Sequence, residues 1–247
     1  MIVDPSVQPE WPAPARVRTL VTTRQGGVSA APYDSLNLGD HVGDDPERVG
    51  ENRAQVEALL PGIPAWLNQV HGTRVLELDE ADPVRRADAA VARKPGQVCV
   101  VMTADCLPVL LCDREGGAVA AAHAGWRGLA DGVLEATVRH MGVPPYRLMA
   151  WLGPAIGSQA FEVGQDVFDA CTHHDARAAN AFLPAPSGVQ GKYLADLYTL
   201  ARLRLEMAGV WQVFGGRYCT YSDPERFFSY RRDGVTGRMA SLIWLAP

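Results

Sequence analysis

Histidine and cysteine are scarce in this chain: its 247 residues include only 6 His and 5 Cys. That scarcity limits any function that consumes many metal ligands. The cysteines, Cys99, Cys106, Cys112, Cys171 and Cys219, are odd in number and form no CxxC pair. A disulfide framework is therefore not expected, and a reducing compartment is. Basic tracts are also missing. With 23 Lys and Arg against 28 Asp and Glu, the net charge is −5, which argues against nucleic acid or an anionic membrane as main partner. The longest apolar stretches, 97–112 and 117–126, are interrupted by Asp105, Pro108, Asp113 and His123, and neither reaches the ~20 residues a membrane helix needs. The leading MIVDPSVQPEWPAPARV has no basic start or apolar h-region. No secretory signal is expected, and the protein is read as cytoplasmic. Internal repeats, low-complexity tracts, a P-loop and a dinucleotide fingerprint are all absent.

What remains is the balance of an ordinary globular protein, 47% apolar and 21% charged, long enough to bury a sizeable core. Residues 1–15, rich in proline, are read as an extended lead-in rather than packed structure, and 16–247 as a single domain. Strands are expected over 16–23, 65–70, 74–78, 98–103, 108–112, 118–122, 147–152, 212–214, 228–231 and 239–245. Helices are expected from the Asp45-Pro46 start to Leu60, and over 132–141, 164–174 and 192–208. The three central apolar runs read as strands covered on both faces. Strands and helices mix without strict alternation, which predicts an α/β (α+β) fold of mixed β-sheets surrounded by helices.

Three segments set a potential ligand or nucleophile beside a structural breaker: Asn68-Gln69-Val70-His71-Gly72, Thr103-Ala104-Asp105-Cys106-Leu107-Pro108, and His123-Ala124-Gly125-Trp126-Arg127-Gly128. Polar groups at the ends of apolar strands are where scaffolds present chemistry. The spacing of His71, Cys106 and His123 matches no local zinc motif. As a set they offer three ligands and an open fourth position, the catalytic rather than the structural arrangement. They equally suit a Cys–His nucleophilic pair, or a buried cysteine with two satisfied core histidines. Arg24, Asn37, His41, Asn52 and Arg53 are candidates for binding an anion or sugar hydroxyls, though solvated surface is the commoner fate of such residues. Gly26-Gly27, Gly125 and Gly128 could form backbone nests. Arg231, Arg232 and Arg238 could clamp an oxyanion or merely rim a hairpin. His140, His173 and His174 read as surface.

In order along the chain stand TTRQGGVS (22–29), SLNLG (35–39), NR (52–53), NQVHG (68–72), ADCLPVLL (104–111), HAGWRG (123–128), WLGPAIG (151–157), FEVG (161–164), CTYSD (219–223), FSYRR (228–232) and TGRMAS (236–241). Together these closely resemble the bacterial laccase-domain family, described both as polyphenol oxidases and as purine nucleoside phosphorylases. The resemblance spans residues 16 to 245. It implies a single domain similar to the toxin-type cysteine hydrolase fold, and a pocket where His71, Cys106 and His123 hold zinc. It also implies phosphorolysis of adenosine, inosine, guanosine and methylthioadenosine, with adenosine deamination. Removal of a misplaced serine from peptidoglycan precursors and copper-dependent phenol oxidation are further activities credited to the family.

Counting separates these activities. A multicopper laccase needs a three-copper cluster built largely from histidine, and six His with three on surface helices are too few. One His₂Cys site could still take a single copper in place of zinc. For deamination, zinc could activate water for attack on adenine C6, with Asp105 or Asp88 as proton shuttle. For phosphorolysis, Arg53, His41 and Asn37 are the candidate phosphate seat and Gln69 the candidate nucleoside contact, with Arg24 a further candidate substrate-binding residue. The expected partners are a small-molecule nucleoside and phosphate, with neither nucleic acid nor membrane. The alternatives kept open are a metal-independent Cys106 amidase and a non-enzymatic metal- or nucleotide-binding protein.

Overall fold

A computed structural model describes residues 6–79 and 84–247. Along the chain run β1 (Val17–Val21), α1 (Pro46–Glu57), β2 (Pro64–Ala65), β3 (Val75–Glu77), β4 (Ala89–Ala92), β5 (Val98–Thr103), β6 (Leu107–Asp113) and β7 (Val119–Ala124). Helices α2 (Trp126–Asp131) and α3 (Val133–His140) follow, then β8 (Leu148–Leu152), β9 (Glu162–Gly164) and α4 (Gln165–Thr172). The chain closes with β10 (Phe182–Pro184), β11 (Lys192–Ala195), α5 (Leu197–Met207), β12 (Gln212–Gly215), α6 (Tyr230–Asp233) and β13 (Met239–Leu245). No helix among the described residues is long and apolar enough to cross a membrane.

The mixed α/β architecture follows from how the apolar runs alternate. In β6, Leu107, Val109 and Leu111 point to one core while Leu110 and Cys112 point to another. In β7, Ala120, Ala122 and Ala124 take the first side, and Val119 and Ala121 the second. Side chains of a strand alternate between faces, so a run apolar at every position must be covered twice. Helices α2 to α5 cover one face of a six-stranded sheet ordered β12-β8-β6-β7-β4-β3. A four-stranded sheet, β1-β13-β5-β2, covers the other. Its own outer face carries Val98, Val100, Ala240 and Leu242 against Leu36, Leu38 and Val56 of α1. A small sheet, β10-β11-β9, packs beside α4 through Phe168, Phe182 and Tyr193.

Several sequence expectations are corrected. The apolar periodicity over 192–208 is not one helix. Lys192–Ala195 pairs with β9 and β10, and the helix starts only after Asp196, whose carboxylate accepts the Tyr198 and Thr199 N–H groups as an N-cap. Residues 228–231 are not a strand: Phe228 is a buried anchor, and Ser229 caps the short α6. The expected strand over 65–70 stops at Ala65. Beyond it the Gln69 amide replaces a ladder, donating to Met102 C=O at 2.8 Å and accepting its N–H at 2.7 Å. Helix α2 and strand β4 are not among the sequence expectations, and Gly132, at φ 99°, divides α2 from α3. Residues 1–5 of the expected lead-in lie outside the described residues. The remainder is extended but packed: Val7 is buried and its N–H bonds Val21 C=O at 2.8 Å, while Trp11 and Ala13 lean on the same core.

Candidate active site

The site forms where the open end of the β6–β7 hairpin meets the segments leading into β3 and β4. Antiparallel register sets Leu107 against Ala124 and Pro108 against His123, so Cys106, just before β6, lies beside His123. On the other flank Ala89 pairs with Ala122, which brings Asp88 next to His123. The Asp88 carbonyl accepts the His123 N–H at 2.7 Å. His71 arrives on the loop before β3, at φ 60°. A side chain in that left-handed region costs roughly 1–2 kcal/mol, so something must hold the loop.

Asp88 holds it. Its fully buried carboxylate accepts backbone N–H groups of Val70 (3.2 Å), His71 (2.8 Å) and Gly72 (2.7 Å). The same group accepts His123 Nδ1 at 2.9 Å. One carboxylate thus fixes the His71 loop and the His123 ring together. Burial pushes the Asp88 carboxyl up, but the His123 bond, the Gly72 and Val70 N–H groups and the His123 charge hold it below the usual carboxylate range.

With Nδ1 given to Asp88, His123 turns Nε2 toward Cys106. His71 Nε2 lies 3.7 Å from Cys106 Sγ, and the two imidazoles meet edge-on at 4.7 Å. The three donor atoms lie within 4.8 Å of one another, and His71, Cys106 and His123 are the one such group among the described residues. Burial alone would push the Cys106 thiol up. The charge and hydrogen bond of His123, with those of His71, reverse this and bring it down to about 6. Burial disfavours the charged His123 ring, but Cys106 and Asp88 outweigh it and hold it at about 9. Cys112, six residues on, has no such neighbours, and burial pushes it up to about 12.

A metal would fit this donor set. Tetrahedral zinc places N and S ligands roughly 3.3–3.6 Å apart, from bond lengths of about 2.0 and 2.3 Å, close to the His71–Cys106 separation. A carboxylate behind a ligating histidine is the usual supporting arrangement. Gly125 completes the fit: a Cβ there would sit 2.9 Å from Cys106 Sγ and from His71 Cδ2. Its φ of −63° makes it a space-maker rather than an anion nest.

Asp105, at φ 95°, buttresses the Cys106 loop. Thr220 Oγ donates to its Oδ1 at 2.6 Å and the Arg231 N–H to its Oδ2 at 2.7 Å. The remaining candidates are held by the protein itself. Asn37 bonds Gly39, Asp44 and the Arg238 N–H. Asn52 bonds Val28, Ser29 and Asn37. Arg53 binds the Leu38 carbonyl and Asp40 and lies over Trp66. His41 is exposed beside Asp40. Arg24 is tied to Asp34 and to the Pro224 carbonyl, and Gln69 spends its amide on Met102. His140 pairs with Glu77, while His173 and His174 meet each other; all three are exposed. Sequence reasoning named Asp88 only as a proton shuttle. Its support of both the His71 loop and the His123 ring carries no local signal.

A family model described as multi-copper polyphenol oxidoreductase laccase matches residues 18–246. A purine nucleoside phosphorylase of Pseudomonas aeruginosa is 59% identical over 239 residues, 96% of this chain and 97% of that protein. One of Escherichia coli is 57% identical over 242 residues, 97% of this chain and 98% of that protein. The crystal structure of a Neisseria meningitidis protein superposes with a TM-score of 0.93 at 56% identity, covering 98% of this chain and 99% of that one.

Proposed function

The chain belongs to the multi-copper polyphenol oxidoreductase laccase family, and from that premise we propose that it is a one-metal purine nucleoside phosphorylase. Its substrates in this reading are adenosine, inosine, guanosine and methylthioadenosine, and it also deaminates adenosine. The observation that carries the reading is the His71–Cys106–His123 group organised by Asp88. The names of the Pseudomonas and Escherichia relatives support phosphorolysis over phenol oxidation. So does the placement of the other histidines: His41, His140, His173 and His174 are held elsewhere and cannot complete a copper cluster.

His71, Cys106 and His123 would hold zinc, with copper as an alternative occupant. When bound, the ion supplies Lewis-acid polarisation and a water acidified toward neutral pH. In phosphorolysis a phosphate oxygen bonds to ribose C1′ as the C1′–N9 bond breaks, and the purine leaves with the electron pair and gains a proton. Asp88 keeps the His123 ring aimed inward and fixes the loop that carries His71, and Asp105 keeps Cys106 at the mouth of the hairpin.

The test is base release from inosine and adenosine with and without phosphate, alongside metal analysis of protein prepared without chelators. Wild type should release base only with phosphate and carry one metal per chain, and Cys106→Ala should lose activity by about 10³-fold. Wild type with neither bound metal nor phosphate-dependent release would sink the reading. A second reading is favoured by the lowered Cys106 thiol beside two imidazoles: a metal-independent amidase acting on a serine-containing cell-wall precursor. Activity abolished by thiol alkylation yet indifferent to chelator would select it.

A further inference from the structure

Arginines near the site are mostly engaged. Arg24 pairs with Asp34 and Arg53 with Asp40. Arg232 donates to the Thr220, Tyr221 and Phe227 carbonyls and pairs with Asp233. Arg238 differs. It pairs with no carboxylate among the described residues, although it is partly buried. Its Nη1 donates to the Thr236 and Gly237 carbonyls, both at 2.9 Å. Its Nε and Nη2 have no hydrogen bond among the described residues.

The side chain is set in place from its backbone outward. The Arg238 N–H donates to Asn37 Oδ1 at 2.9 Å, and its carbonyl accepts the Leu38 N–H at 3.1 Å. Its stem lies across Gly39, where a Cβ would come within 2.8 Å of Arg238 Cγ. Position follows from register. Met239 pairs with Thr103 in antiparallel β13 and β5, so one step further puts Arg238 alongside Ala104, two residues from Cys106. The titratable groups whose charge it feels are Cys106, Asp105, Tyr230 and Tyr33. Asp105 already spends its oxygens on Thr220 and Arg231, and Tyr33 gives its hydroxyl proton to the Val42 carbonyl.

We propose that Arg238 is the seat of a phosphate-class oxyanion beside Cys106, its Nε–Nη2 edge receiving two oxygens of inorganic phosphate or of a sugar phosphate. A guanidinium edge matches two such oxygens in a plane, and a partly desolvated cation with no carboxylate partner gains most from an anion. The inference rests on the phosphorylase reading and deepens it: Asn37 serves phosphate indirectly, by holding the turn that carries Arg238.

Calorimetric titration of the metal-loaded protein with inorganic phosphate, and phosphate-dependent base release from inosine, test it with Arg238→Met and Arg238→Lys. Arg238→Met should weaken phosphate binding and raise the phosphate KM at least about 10-fold, with metal content unchanged and the nucleoside KM moved far less. Arg238→Lys keeps the charge but not the fork, so it should fall between. It also carries the test alone if the methionine variant fails to fold. Phosphate KM and Kd within twofold of wild type in either folded variant would overturn the seat. Wild type that binds no phosphate would overturn it too. Phosphate binding lost in Arg238→Met, without phosphate-dependent release by wild type, would keep the seat and remove the phosphorylase reading.

Discussion

The β6–β7 hairpin has two ends, and both use the same device. At the turn end, buried Asp113 accepts the N–H groups of Glu115 and Gly117 and a forked bond from Arg147. At the open end, Asp88 accepts the N–H groups of Val70, His71 and Gly72 and the His123 ring. In each case a buried carboxylate gathers the backbone donors of an irregular surface loop, which satisfies the carboxylate and fixes the loop. The partners differ. Arg147 is a permanent cation paired with both Asp113 and Glu115, so the turn end is closed. His123 bonds Asp88 through one nitrogen and keeps the other for Cys106, so the open end remains available for chemistry. A shared construction therefore closes one end and leaves the other open to chemistry, and the identity of the side-chain partner decides which.

The strongest test of this contrast is Asp88→Asn against Asp113→Asn. Asp88→Asn should weaken metal binding about 10–100-fold and lower kcat at least as much, read by metal titration and base release. Asp113→Asn should leave both within twofold while costing about 1–3 kcal/mol of stability, read by denaturant melts. Equal loss of activity in the two variants would break the comparison.

A smaller effect lies in acid stability. Burial pushes the Asp113 carboxyl up, but the Arg147 bond, the Glu115 and Gly117 N–H groups and the Arg147 charge hold it below the ordinary range. A depressed folded-state value means stabilisation is present above the unfolded value of about 3.9 and is lost as pH falls through the folded value. Asp113→Asn should therefore flatten the fall in melting temperature between about pH 5 and pH 2. An unchanged slope would show that the turn end is not held by charge.

The smallest effect is chemical labelling. At neutral pH, iodoacetamide should modify Cys106 and spare Cys112 and Cys99, whose thiols burial pushes up. Cys219 serves as internal control: burial pushes it up, but the Ser222 bond and nearby N–H groups bring it below the ordinary thiol value, so it should also react. Zinc should protect Cys106 and not Cys219, as mass spectrometry of the labelled peptides will show.

What could be read from the chain divides along the range of the interactions. His71, Cys106 and His123 stand out in the sequence because each lies beside a breaker next to an apolar segment, but local pattern leaves them open as core residues; that they share one pocket is what the family resemblance implies. The strands covered on both faces were legible from their unbroken apolar runs. Strand β4, with sequence Ala-Ala-Val-Ala, was not, because alanine has little strand preference and the pairing with β7 supplies the reason for it. The 192–208 segment misled because its apolar repeat continues through the Asp196 cap. The role of Asp88 was hidden because its partners lie 16 to 35 residues away and three of them are backbone groups. Arg232 and Arg238 look alike in sequence, and only the carbonyls and carboxylates around each distinguish them.

Because Asp88 immediately precedes β4, both histidines of the site depend on one strand finding its neighbour. Until β4 docks on β7, the His71 loop has no acceptor and the His123 ring has no fixed orientation. A partly folded chain therefore offers a passing ion single, independent donors rather than a chelate. Multidentate capture of an ion would arrive only with the finished sheet, so metal occupancy would act as a certificate of completed assembly.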